Sequence, residues 1–364
     1  MFNLKKLFLF LFLLILPFLS LNQSIYAYGV KNSESIKARI VKIVEEKQIV
    51  VMEKEQLYQK LELELNTPDK KIITIENGDL PLANIIKYSV NDNVLVSQNI
   101  NPFGEEEYLI TDFVRNDSLI LLSILFVILL VVVAKWKGLF SLFGMIFTFI
   151  IIFTFVLPRL LAGDNPVLIA IGASLVIIPV SFYCAHGFNK KTTVAIIGSV
   201  ISLIITAILA SIFTQIGHLT GLSSEEAGML SIGQSNLNMK GILLAGIVIG
   251  TLGVLDDITI SQAAIVDELA NTAKLTKTKD LYSRSMVIGK DHITSMVNTL
   301  VLAYAGASLP LLLIFTNNPH PFSEIMNYEM IAEEIIRTLV GSIGLILAVP
   351  ITTLIAANWY KKYM

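Results

Sequence analysis

The chain has 364 residues, is 54% hydrophobic and only 15% charged, with a formal net charge of −2 and a mean hydropathy of +0.71. A water-soluble domain carries about 25% charged residues, so this composition excludes an ordinary soluble protein, and the slightly acidic balance points away from nucleic acid. The single cysteine, Cys184, excludes an intrachain disulfide or a paired-cysteine zinc site.

Residues 1–27 read as a signal peptide or signal anchor. Lys5 and Lys6 form a positive start, Leu7 to Leu21 an apolar stretch broken by Pro17, and Ala27 a small residue at the cleavage position. Ile25 fits the small-x-small rule poorly, which keeps the uncleaved anchor open. Either form places the next segment outside the cell.

Residues 28–115 change character. Short alternating runs at 38–44, 49–52, 60–65, 71–75, 93–97 and 108–113 predict half-buried strands. Asn77-Gly78 and Asn91-Asp92 are turn signals between them. The expectation is a small extracytoplasmic β-barrel or β-sandwich. It contains no histidine or cysteine, and reads as a structural or docking module.

Residues 116–364 read as a helical membrane domain. Seven apolar segments are predicted, at 118–134, 139–161, 166–186, 193–217, 241–266, 293–315 and 335–358. Lys135, Lys137, Lys190, Lys191, five basic residues within 274–290, Lys361 and Lys362 then fall on one side. Arg159, Lys240 and Arg337 alone fall on the other. That asymmetry predicts an outside N-terminal domain and a cytoplasmic C-terminus. Residues 218–240 read as a solvated outside loop, residues 267–290 as a cytoplasmic helical hairpin, and Glu333 and Arg337 as a pair one helical turn apart.

The chemistry concentrates at 241–306. Gly246, Gly250, Gly253 and Asp257 share one helical face. Small residues on such a face admit a neighbouring backbone, so these glycines are assigned to helix packing and Asp257, ahead of Asp256, to the interior. Residues 241–255 are too few to span a bilayer, which puts both aspartates within the apolar zone or in a water-filled vestibule. On the next segment Asp291, Ser295 and Asn298 share a face, with His292 and Thr299 beside it. An ionisable residue inside a membrane segment is costly, so it marks a functional hypothesis. Asp256, Asp257, Asp291, His292 and Asn298 are the candidate proton or ion relay, with a structural polar clasp as the alternative. No metal-ligand spacing, Walker-type loop, Gly-x-Ser-x-Gly or His-Glu-x-x-His occurs. The expectation is therefore no enzyme, no cofactor and no metal. The lipid bilayer is the expected partner, with a homo-oligomer or a partner membrane subunit as open possibilities.

The stretches GTLGVLDDITISQAAIVDEL (250–269) and SMVIGKDHITSMVNTLVLAYAG (285–306) resemble the YibE/YibF-like family of bacterial membrane proteins. The resemblance implies a multi-pass plasma-membrane protein and brings no substrate or reaction with it. A fainter similarity of arrangement is to SecD/SecF and resistance-nodulation permeases, and it is analogy alone. The residues themselves suggest transport or export driven through the acidic site; the alternative is a non-transporting scaffold whose outside domain recruits a partner.

Overall fold

The computed structural model describes residues 35–52, 54–81, 85–100, 106–234, 236–272, 277–316 and 320–361. The signal segment 1–27 lies outside the described residues. The rest falls into two units, which meet in sequence at Leu130 and Val131.

The first unit is built on five antiparallel strands: β1 (Ser35–Val51), β2 (Lys54–Leu65), β3 (Ile72–Asn77), β4 (Asn93–Ile100) and β5 (Glu106–Phe113), in the order β3-β2-β1-β4-β5. The two short runs expected at 38–44 and 49–52 are one strand. The polar stretch Glu45–Gln48 continues the ladder to β2, because an outward row of charges does not interrupt backbone pairing. Alternation sets the faces: Ile40 on β1, Leu61 and Leu63 on β2, and Val94 and Val96 on β4 are fully buried. The register shifts near Ile40 and Ile43 mark bulges in β1, which bend a strand. The outer strands then approach: Lys71, just before β3, donates to Glu106 and to the Tyr108 hydroxyl of β5. A single curled sheet thus stands where a barrel or sandwich was expected, and its curl is toward a partly open barrel. Gln59 is fully buried, and its amide exchanges hydrogen bonds with the backbone N–H and C=O of Tyr88, both 2.9 Å. It pins the connection between β3 and β4 as an extra strand would.

The helices follow: α1 (Asn116–Ile151), α2 (Leu157–Leu161), α3 (Pro166–His186), α4 (Lys190–Ile216), α5 (Glu225–Gly233), α6 (Met239–Thr272), α7 (Thr278–Ala307), α8 (Leu309–Thr316), α9 (Phe322–Ile325) and α10 (Glu329–Lys361). A π turn, Ile152–Val156, joins α1 to α2. Asn165 caps α3 by accepting from the N–H groups of Val167 and Leu168, with Pro166 in the first turn. Asn189 caps α4 in the same way through Thr192.

Among the described residues, five helical runs are long and apolar enough to cross a membrane: 116–161, 166–186, 190–216, 239–272 and 329–360. The first covers both the first and second expected segments. Lys135 (φ 52°, ψ −135°) interrupts its helical geometry at the boundary between them. The sixth expected segment is divided between α7 and α8. Pro310 has no N–H to continue the ladder, and the helix ends with the Ser308 N–H on the carbonyls of Tyr304 and Gly306. Residues 218–240 contain a short helix, α5, capped by Ser224.

The helical core is α4, α6 and α10 packed together, with α3 against α6 and α7 against α10. Its largest fully buried side chains include Phe182, Ile178, Leu203, Leu255, Ile258 and Leu345. The backbones meet closely. A Cβ at Gly198 would lie 2.2 Å from the Thr352 hydroxyl oxygen, and one at Gly344 2.1 Å from that of Thr206. A side chain at either place would have to displace the facing threonine.

Candidate functional site

Two aspartates sit in the unbroken α6. The run Ile247, Val248, Thr251, Leu252, Leu255, Thr259, Gln262 and Ala263 is buried, because α4 and α10 cover that side. Asp256 is half-buried, on the side of α6 toward the Ser181 hydroxyl of α3. Asp257, the next residue, turns about 100° further round the helix and is exposed. Its charge is felt by His186 at the end of α3, as are those of Lys191 and Lys137. The structure thus ranks the pair in the opposite order to the sequence: Asp256 is the inward residue.

The glycine face explains the reversal. Gly246, Gly250 and Gly253 are exposed. A Cβ at Gly246 or Gly253 would meet nothing within 4 Å, and one at Gly250 only the Tyr304 hydroxyl, at 3.5 Å. Among the described residues no helix packs closely on that face, and Asp257 shares its direction.

At about 1.5 Å per residue, Asp256 lies about 26 Å along α6 from Met239, and Ser181 about 22 Å along α3 from Pro166. A hydrocarbon layer of about 30 Å entered at those N-termini places the carboxylate in its far third. All of α6, at 34 residues, measures about 51 Å, so its last turns extend beyond such a layer.

Helix α7 returns beside α6. Gln262 donates to the Ser285 carbonyl (3.2 Å), and Gly250 stands beside Tyr304. Asp256, Asp257 and the stretch Asp291–Asn298 lie between these two anchors, in one layer. Side-chain directions separate them. Asp291, Ser295 and Asn298 are exposed, and His292 is half-buried. Thr259 and Gln262 bond from α6 to neighbouring helices, and among the described residues no side-chain bond joins Asp256 or Asp257 to Asp291, His292 or Asn298. No group of three or more His, Cys, Asp and Glu side chains is gathered to hold a metal ion among these residues.

The structure adds a seam of neutral polar residues that sequence reading passed over. Ser199 on α4 and Thr259 on α6 share a 2.7 Å hydrogen bond. Gln262 donates to the Thr353 hydroxyl of α10 at 2.7 Å as well as to Ser285. All five side chains are fully buried. Serine and threonine barely lower a hydropathy window, so their one available signal was helical phase: Thr259 and Gln262 lie on the Leu255 side of α6. The Glu333–Arg337 pair, legible from its spacing, is present at 2.5 Å, and Arg337 also reaches Glu334 at 2.8 Å.

Apolar membrane-length helices, small-residue contacts and a buried neutral seam define a multi-span helical membrane protein with an antiparallel β unit ahead of it. The family model for YibE/F-like protein matches residues 122–362. The chain belongs to the YibE/F-like family. No curated protein and no solved structure matches it.

Proposed function

We propose that the chain is a plasma-membrane protein serving transport or export, with Asp256 and Asp257 as its proton- or ion-responsive site. The carrying observation is Asp256: a carboxylate half-buried among membrane-length helices, with the Ser181 hydroxyl as its facing partner. A charge so placed is costly unless it is used or neutralised. Asp257 and His186 extend the site toward the helix ends, and His292 and Asn298 join it if α7 rotates or tilts against α6. Such a role involves no enzymatic step.

The proposed topology has seven crossings, with the β unit outside and the C-terminus in the cytoplasm. Two features support it. A straight helix over 116–161 would run about 69 Å, more than twice the hydrocarbon thickness, and Lys135 interrupts it midway. Lysines 135, 137, 190 and 191 then share the cytoplasmic side. The glycine face, open among the described residues, leaves room for a second copy or a partner membrane subunit.

The test is complementation of a gene deletion. Asp256→Asn is expected to abolish rescue of the growth or export phenotype at unchanged membrane abundance. Full rescue by the Asp256→Asn, Asp257→Asn double variant would sink the proposal. The self-contained core of the β unit supports a second reading, a scaffold that recruits an outside partner. If that reading holds, deleting residues 35–113 removes all function while the aspartate variants keep it.

A further inference from the structure

A cavity of about 570 Å³ opens between α7, α8, α9 and α10. That volume falls within the range of about 300–1,000 Å³ typical of small-ligand sites. Its walls are largely apolar, with Val301, Ala305, Leu312 and Leu339 among them, and its polar groups include Tyr304 and Glu334. One wall is the start of α10, a membrane-length helix.

The electrostatics at the polar end are unbalanced. Arg337 is shared by two carboxylates, Glu333 and Glu334, leaving one negative charge in excess. Glu333 is saturated: it is only 11% exposed and also accepts from the Ser223 hydroxyl. Glu334 is 27% exposed, lines the cavity, and among the described residues has on its second oxygen a single long 3.3 Å bond from Ser308. The other acids nearby have partners of their own. Glu329 accepts from the N–H groups of Thr220 and Gly221, and Glu324 pairs with His320. Glu334 is therefore the carboxylate with capacity left for a cation, at the mouth of an apolar chamber.

We propose that this chamber binds a primary alkylammonium amphiphile, with its chain along Val301, Ala305 and Leu339 and its ammonium between Glu334, Ser308 and the Tyr304 hydroxyl. An ammonium offers three donors and supplies the missing positive charge. A carboxylate or sulfate head in the same place would be repelled by Glu334. The proposal stands apart from the transport reading, since Asp256 takes no part in it. The ammonium has two possible sources, a membrane phosphatidylethanolamine or a free amine.

The test uses the full chain in phosphatidylcholine nanodiscs and a decylamine probe with a chain-end diazirine. Photolabel is expected on peptides covering 301–312 and 331–339, competed by n-decylamine and not by decanoate. Glu334→Gln is expected to lower labelling about tenfold, the size of a lost charge-assisted hydrogen bond. Ala305→Trp, which fills the chamber and keeps the carboxylate, is expected to lower it as far at an unchanged elution profile. Nanodiscs containing phosphatidylethanolamine separate the sources: loss of label there identifies the lipid headgroup, and retention a free amine. Asp256→Asn is expected to leave labelling unchanged, so the transport reading can fail without this one. Label spread evenly over lipid-facing helices, equal labelling by a decanoate probe, or full labelling of both chamber variants would overturn the proposal.

Discussion

In the β unit, Ile40, Leu61, Leu63 and Val94 are fully buried beneath a surface of ion pairs such as Lys60–Glu76, Lys71–Glu106 and Lys87–Glu46. In the helical unit, Ser199, Thr206, Thr259 and Gln262 are just as fully buried, while Val133, Ile146, Phe149 and Leu168 face outward. The inversion follows from the solvent. Water drives apolar side chains together and solvates charges. A lipid chain is as apolar as leucine, so burying leucine gains little there. Helices associate instead through close backbone contact and neutral hydrogen bonds. The seam from Ser199 through Thr259 and Gln262 to Thr353, and the glycine contacts of Gly198 and Gly344, are that second kind of core.

Substitutions can break this contrast unit by unit. The largest expected effect is Leu63→Ala, which empties a fully buried site and should cost the sheet about 3 kcal/mol. Hydrogen exchange on the full chain should show amides of β1 and β2 losing protection while α4 and α6 keep theirs. Equal loss in both units would mean that they do not hold separate cores. Next is Gly344→Ala, whose added methyl would sit 2.1 Å from the Thr206 oxygen. Overpacking of this kind should cost about 2 kcal/mol, read as a lower unfolding midpoint in detergent. Thr206→Ala in the same chain should restore most of it; failure to do so would show that the close contact is not what the variant disturbs.

The smallest effect belongs to Lys71 and Glu106. Hydrogen bonds from Lys71 first, then Tyr108, hold the Glu106 carboxyl below its ordinary range. The bond to Glu106 is likewise the main reason Lys71 is held above its own. The Glu106 contribution is complete above the usual carboxylate range and disappears as pH falls through the lowered value. The Lys71 contribution is complete below the usual lysine range and disappears as pH rises through the raised value. Both groups are exposed, so the effect is small and salt-screened. Protection at β5 should fall between pH 7 and pH 3 by more in the native chain than in Lys71→Met, and high salt should shrink the difference.

Much of the fold was legible because it depends on local pattern. Alternation marked the strands, though Glu45–Gln48 hid the continuity of β1. The apolar run 166–186 marked α3, and the spacing of Glu333 and Arg337 announced their pair. The candidate site was legible only in part. The composition of 250–269 and 285–306 singled out α6 and α7 as the helices that carry the candidate residues. It did not separate Asp256 from Asp257, nor show that Asp291 and Asn298 turn outward. Gln262, Thr353 and Ser181 passed unnoticed because each is an ordinary residue whose importance lies in what it faces.

From its sequence alone this protein was bound to be a multi-span membrane protein with a β-rich domain ahead of its helices, and to carry carboxylates within membrane-length segments. Composition and period suffice for that, since each acts within a few turns or strands. Only the tertiary structure decided which side of α6 is covered, and so which aspartate is inward. Helical periodicity fixes the angle between Asp256 and Asp257, but not where the neighbouring helices lie. The glycine face seemed the natural place for a neighbour, yet α4 and α10 packed on the Leu255 side. There Thr259 and Gln262 hydrogen-bond across the interface, and among the described residues the glycines were left open.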